Sequence, residues 1–441
     1  MDKTAQEEIA KIELEWKKDR WKGIIRPYKA EDIYNLRGSL KVEYTWAKRG
    51  SEKLWHLLHE RPFIKSFGAL TGLQAVQMVK AGLEAIYVSG WQTAADMNVE
   101  GETYPDMSLY SPASVPNNVK RINQAFQRAD HIQHQHLAGK NEIDWYAPII
   151  ADAEAGFGGD LNTHELVRKM IQAGAAAIHL EDQRSAVKKC GHMGGKMLVP
   201  VGEFINKLVA ARRIADGMDV PLVIIARTDA EKADGITNDW DERDRPFLTG
   251  ERTEDKQYYK FRGGTEACIA RGLAYAPYAD MLWMETSKPD LEQAKAFADA
   301  IHAVYPGKLL AYNCSPSFNW KNYWKQKGLS DKEIRKEVAM FQDRLGEMGY
   351  KFQFITLASF HLILYYTFMF SLAYKEEGMA TFMDLQEDEF KAEELGYQAA
   401  THQEFVGTKY FDEVLKIITG GETSILGMKG STEEEQFKPP K

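Results

Sequence analysis

Several features that mark whole classes of protein are scarce or missing in this sequence. It contains three cysteines in 441 residues, Cys190, Cys268 and Cys314. An odd number at wide spacing argues against a disulfide framework and for a reducing compartment, which we take as cytoplasmic. No long basic run occurs, and a formal net charge of -8 gives nucleic acid no footing. No low-complexity tract is visible. No G-x-G-x-x-G follows the first apolar run, which removes the main support for a doubly wound dinucleotide-binding sheet. Met1 to Arg26 is highly charged and has no apolar core, so no signal peptide is expected. A long uncharged run occurs once, from Ile355 to Tyr374, and it matches a bilayer in length. It is interrupted by Thr356, Ser359, His361, Thr367 and Ser371 and begins in what reads as a strand. Two short buried elements are expected there, not a membrane span.

The remaining composition, 44% hydrophobic and 27% charged, is that of a globular protein. Residues 1–60 read as a polar, helical N-terminal extension anchored by Tyr44, Trp46 and Trp55. A rhythm then begins. Short runs rich in Val, Ile and Ala end in polar residues, and each is followed by an amphipathic stretch. The runs are Phe67–Leu70, Ala85–Ser89, Pro148–Glu154, Ala176–Glu181, Leu222–Asp229, Met281–Glu285, Leu309–Cys314 and Phe352–Leu357. Strands alternating with helices imply a buried parallel sheet. Eight such units predict a (β/α)8 barrel over 61–375. Helices over 376–441 follow, ending in an acidic tail from Ser431 to Lys441 that composition alone predicts to be disordered. Residues 230–263 read as a charged, solvated excursion, and 101–117 as a proline-bearing loop.

Barrel chemistry gathers at the C-terminal ends of the strands, and those ends are loaded here. Asp152 and Glu154 stand two apart at the end of the third run, so they share a face. Two carboxylates there need a counter-charge, and hard oxygen donors favour Mg2+ or Mn2+ over zinc. Glu181 and the loop residue Asp106 would complete the shell through water. The plainer alternative is a salt bridge to Arg227 or Arg184. Ser89, Gly90, Trp91, Arg227, Asn313, Ser315, Ser317 and Thr356 offer hydroxyls, an amide, backbone N–H groups and one fixed cation, a set suited to carboxylates. Taken singly, each also reads as an ordinary cap or turn. Lys188-Lys189-Cys190-Gly191-His192 places a thiol between cations and an imidazole, an arrangement that lowers a thiol pKa. His179 and His192 each stand alone, which suits a supporting role better than zinc ligation.

With these residues in place the sequence resembles the isocitrate lyase family. The resemblance rests on Lys188–His192, Ser89-Gly90-Trp91, Asp152–Gly159, His179–Gln183, Ala226–Ala230, Asn313–Trp320 and Lys429–Phe437, and it covers nearly the whole chain. It implies a carbon–carbon lyase that cleaves isocitrate to glyoxylate and succinate in the glyoxylate bypass and depends on magnesium, with manganese as a substitute. It implies metal binding by Asp152, Glu154, Glu181 and Asp106, and catalysis by Cys190 as general acid with His192, Lys189 and Glu181. It implies substrate binding by Ser89, Gly90, Trp91, Gly191, His192, Arg227, Asn313, Ser315, Ser317 and Thr356. The general base stays open among Glu181, Glu285, Tyr87 and metal-bound hydroxide. The resemblance also implies a homotetramer with exchanged C-terminal helices, and a Ser431–Phe437 segment that closes over the ligand. The alternatives are cleavage of 2-methylisocitrate, a cysteine-dependent metal hydrolase, and a catalytically silent ligand-binding barrel.

Overall fold

The structure, a computed structural model, describes residues 3–140 and 142–437. The first two residues of the charged leader and Lys438–Lys441 of the acidic tail lie outside the described residues. By contact the chain divides into two compact units. One comprises Met1–Ala69, Glu84–Lys120 and Pro148–Ala358, and the other Leu70–Leu83, Arg121–Ala147 and Ser359–Lys441.

The first unit holds the strands. They are β1 (Ile64–Phe67), β2 (Ile86–Val88), β3 (Ile149–Asp152), β4 (Ala177–Glu181), β5 (Lys196–Leu198), β6 (Val223–Thr228), β7 (Ala233–Ile236), β8 (Leu248–Arg252), β9 (Tyr259–Phe261), β10 (Met281–Met284), β11 (Leu309–Asn313) and β12 (Tyr350–Ile355). Eight of them form one parallel sheet in the order β1-β12-β11-β10-β6-β4-β3-β2. A bridge between Gly68 and Tyr87 joins its two edges, so the sheet is nearly closed into the expected barrel. The apolar runs became strands because both faces of a parallel sheet are covered, which rewards Val, Ile and Ala without alternation. Two strands are displaced from their readings: β1 begins at Ile64 instead of Phe67, and β12 at Tyr350 instead of Phe352.

The barrel floor is apolar. The helix Thr45–Glu60 presents Leu54, Leu57 and Leu58, spaced for one helical face, to the strand-start residues Ile64, Val223, Met281 and Leu309. Gly50 allows that helix to approach closely, since a Cβ there would lie 3.0 Å from that of Ala176. Burying each leucine contributes about 1.5–3 kcal/mol.

Three expectations are corrected, the first in part. Residues 230–263 are largely exposed, as expected of a solvated excursion, but they are structured. They supply β7, β8 and β9, which join β5 in a separate sheet of order β5-β7-β9-β8. Two of its charges are buried and act as anchors: Asp241 accepts from the Gly202 N–H at 2.7 Å, and Asp244 accepts from the Val201 N–H at 2.9 Å and pairs with Arg271 at 2.6 Å. The run from Ile355 does not form two buried elements. The helix Ala358–Glu377 follows β12, and its one buried residue is Ser359. Among the described residues no helix is long and apolar enough to cross a membrane. In the second unit, Ser431–Phe437 is folded. Ser431 caps the helix Thr432–Gln436 by accepting from Glu434 N, and the Glu433 carboxylate accepts from the N–H groups of Gln403 and Glu404 at 2.6 and 3.2 Å. Side chains satisfy the backbone there, which composition does not reveal.

Candidate active site

The C-terminal mouth of the barrel collects the polar strand ends. After β2, Ser89 accepts from Gln92 N at 3.2 Å, and the Gly90 N–H donates to Asp152 Oδ2 at 2.9 Å. Gly90 must lack a side chain, because a Cβ would lie 2.5 Å from Glu154 Oε1 and 2.6 Å from Asp152 Oδ2. Asp152 closes β3 and accepts from the Glu154 N–H at 2.8 Å. Glu154 sits at φ 52, a conformation that non-glycine residues hold only where surroundings impose it, typically at functional sites. Its carboxylate is held by the Tyr110 hydroxyl, by Ser108 Oγ at 3.2 Å and by the Lys188 ammonium. Lys188 also pairs with Asp106. Beneath Asp152, Tyr87 and His179 meet at 2.9 Å. Burial, reinforced by the Arg227 and Lys188 charges, keeps His179 neutral.

Across the mouth, Arg227 at the end of β6 bonds Asp229 through Nε at 2.9 Å and reaches Glu181 at 3.3 Å, with its guanidinium over Trp283. The salt-bridge alternative for Asp152 and Glu154 is met by neither arginine: Arg227 engages Asp229 and Glu181, Arg184 lies against Tyr258, and Glu154 pairs with Lys188 instead. Asn313 donates to Glu285 Oε1 at 3.1 Å. Glu285 Oε2 and Asn313 Oδ1 are buried with no hydrogen-bond partner, which disposes them toward a ligand. Ser315 Oγ accepts from the Ser317 N–H at 3.0 Å, Ser317 is exposed, and Thr356 is half-buried after β12.

The Lys188–Lys196 loop lies over this side. Gly191 is so close that a Cβ would lie 2.6 Å from Arg227 Nη2 and 2.6 Å from Glu285 Cγ. His192 Nε2 lies 3.1 Å from Thr286 O and 3.5 Å from Glu285. Trp91 and Lys189 are half-buried, and Gln183 clasps the Lys189 backbone, donating to its carbonyl at 2.8 Å and accepting from its N–H at 3.0 Å. The lowered thiol pKa expected from Lys189 and His192 is absent. Burial pushes Cys190 up to about 12, outweighing the His192 backbone N–H and the Lys188 and Arg227 charges.

Asp106, Asp152, Glu154, Glu181, Asp229 and Glu285 are all buried, against the buried cations Lys188, Lys196 and Arg227. Burial raises Asp106 to about 6 and also raises Asp152 and Glu181, so this corner is short of positive charge. Among the described residues no three His, Cys, Asp or Glu side chains gather to hold a metal, and the Lys188 ammonium bridges Asp106 and Glu154. The donor set nonetheless fits a hard divalent cation held by few direct carboxylates and by water. Sequence reading missed Lys188 as counter-ion, and Ser108 and Tyr110 as supports of Glu154. The proline-bearing loop around Asp106 was the available signal for the last two.

Comparison with known proteins places these features in context. A profile described as "Isocitrate lyase family" matches residues 8–257 and 251–437. The isocitrate lyase of Halalkalibacterium halodurans is 56% identical, covering 98% of this chain and 99% of its own. That of Salmonella typhimurium is 55% identical, covering 99% of this chain and 100% of its own. In fold, the chain is similar to an oxaloacetate acetylhydrolase in complex with the product oxalate, with TM-score 0.55 at 20% identity, covering 85% of this chain and 98% of that one.

Proposed function

The chain belongs to the isocitrate lyase family, a family of carbon–carbon lyases, and from that premise we propose that it cleaves isocitrate to glyoxylate and succinate, opening the glyoxylate bypass. The observation that carries the reading is the seat of Gly191 on Arg227 and Glu285, which brings Cys190 to the mouth between the carboxylate corner and the donor side.

Asp152, Glu154, Asp106 and Glu181 are the residues that would hold magnesium, or manganese in its place, and such an ion supplies Lewis acidity toward a carbonyl oxygen. Arg227, Asn313, Ser315, Ser317 and Thr356 supply positive potential and donors for the substrate carboxylates from one rim. Ser89, Gly90 and Trp91 do so from the other, and Gly191 and His192 close from the loop. Loss of the C2 hydroxyl proton lets the C2–C3 bond break in a retro-aldol sense, leaving its electron pair on the succinate carbon. Cys190 gives that carbon the proton from its Sγ, and the resulting thiolate is later restored by the proton taken from the hydroxyl. A thiol pushed up to about 12 stays protonated at neutral pH, as a general acid must. Lys189 and His192 hold it through Gln183 and Thr286.

The experiment is glyoxylate release from isocitrate with magnesium, with EDTA, and with Cys190→Ser, each repeated on 2-methylisocitrate. The reading expects cation-dependent release from isocitrate that collapses in the variant. Preference for 2-methylisocitrate would overturn the substrate. The discrimination is instructive because one methyl is worth only about 1–3 kcal/mol.

The assembly follows from the same family reading. A homotetramer with exchanged C-terminal helices is supported by the helix Ala358–Glu377, which exposes Leu362, Tyr366, Phe368, Met369 and Leu372. Monomers rarely leave so continuous an apolar face to water. Light scattering should give the mass of four chains, and a monomer would refute it. Three free cysteines support a cytoplasmic location.

A further inference from the structure

We infer that Lys196 is a positioning residue for this reaction: its buried ammonium, pinned on Asp229, holds the Gly191 carbonyl and so keeps Cys190 seated over Arg227 and Glu285. The inference rests on the lyase reading for its kinetic consequence, but its structural half stands without it.

Lys196 opens β5, at the far end of the loop from Lys188. It is fully buried, and its Nζ donates to Gly191 O at 3.0 Å and to Asp229 Oδ1 at 3.2 Å. A buried ammonium is costly unless its donors are used. Neutralising Asp229 is not sufficient reason for its presence, because Arg227 already makes two bonds to that carboxylate, at 2.9 and 3.0 Å. What Lys196 adds is the grip on a loop carbonyl. The residue whose carbonyl it holds is the one whose Cα approaches Arg227 and Glu285 too closely for a Cβ.

The anchor is fixed from behind. Asp182 accepts from the Asp229 N–H at 2.9 Å and from Thr228 Oγ1 at 2.8 Å, and Arg271 and Tyr275 bond the same Asp182 carboxylate. A continuous set of buried polar contacts thus runs from the helix Thr265–Tyr275 through Asp182 and Asp229 to Lys196 and Gly191. The front anchor, Lys188, sits among the carboxylates expected to hold the cation, whereas the rear anchor touches none of them. Lys196 therefore holds the loop whatever the carboxylate corner binds. The separate sheet also gains a purpose: β7 pairs with β5 and fixes the residue that fixes the loop.

The test uses the full chain with Lys196→Met and Lys196→Arg. In the unliganded proteins, iodoacetamide labelling of each cysteine is followed by mass spectrometry, with buried Cys268 and Cys314 reporting any general unfolding. Labelling of Cys190 in Lys196→Met should rise at least about tenfold, with the other two cysteines unlabelled. On isocitrate, kcat should fall about a hundredfold while KM rises by a smaller factor, because Gly191 and His192 shift with the misplaced acid but Arg227 and the strand-end donors stay. Lys196→Arg, which keeps a charged donor, should recover most of kcat. If Lys196→Met does not fold, Lys196→Gln serves, with the same expected labelling. A folded variant with wild-type Cys190 labelling and wild-type kcat would overturn the inference. Failure of the wild type to cleave isocitrate would instead remove the lyase reading, and the labelling arm would still decide the role of Lys196.

Discussion

The rim formed by β2, β3 and β4 and the rim formed by β6, β10, β11 and β12 differ in how their polar groups are satisfied. On the first, Asp106 and Glu154 share the Lys188 ammonium, Asp152 takes two backbone N–H groups, and burial still raises Asp106 to about 6 and Asp152 above its ordinary value. On the second, Arg227 is locked on Asp229, while Glu285 and Asn313 each keep a buried oxygen with no partner. The first rim is short of positive charge and the second is short of hydrogen-bond donors. The comparison teaches that both rims leave acceptors unmet, and that a cation on one side and a hydroxyl donor of a bound ligand on the other would satisfy them together.

Breaking the first rim should have the larger effect. Glu154→Gln removes a charge that Tyr110, Ser108 and Lys188 all hold, and should lower kcat/KM for isocitrate by about a thousandfold or more. Steady-state kinetics across magnesium concentrations would show whether saturating metal recovers the rate, which we expect it does not. Breaking the second rim should cost less. Asn313→Ala deletes one preorganised donor and should lower kcat by about a hundred- to a thousandfold, with the magnesium requirement unchanged. Gly191→Ala should lift the loop without touching either rim's charges, because the new Cβ meets Arg227 and Glu285 at 2.6 Å. We expect about a hundredfold loss of kcat. The smallest effect concerns pH. Burial disfavours the Cys190 thiolate and raises the pKa to about 12, so its alkylation rate should climb with pH through pH 9 without levelling. A plateau with a midpoint near the free-thiol value of about 8.5 would contradict that environment.

The same contrast explains what the sequence made legible. The eight barrel strands were readable because a parallel sheet demands apolar runs, and a polar residue ending such a run marks the mouth. Asp152, Glu154, Glu181, Arg227 and Asn313 all follow that rule. Lys188 was not readable as a counter-ion, because a lysine beside a thiol suggests pKa lowering as readily as it suggests reach toward distant carboxylates. The anchors within the 230–263 insertion were not readable because buried Asp244 and exposed Glu242 look alike in composition. The helix Ala358–Glu377 was misread as buried because apolar composition alone does not say whether the rest of the chain covers it. Lys196 was invisible for a simpler reason. The contact that gives it meaning joins one backbone carbonyl to a side chain five residues away.

The most direct test of the two-rim account is Mn2+ binding, read from the electron paramagnetic resonance signal of free Mn2+, on the wild type, Glu154→Gln and Asn313→Ala. The account predicts that Glu154→Gln loses binding while Asn313→Ala binds as the wild type does. Equal binding by both variants, or loss in Asn313→Ala alone, would contradict it.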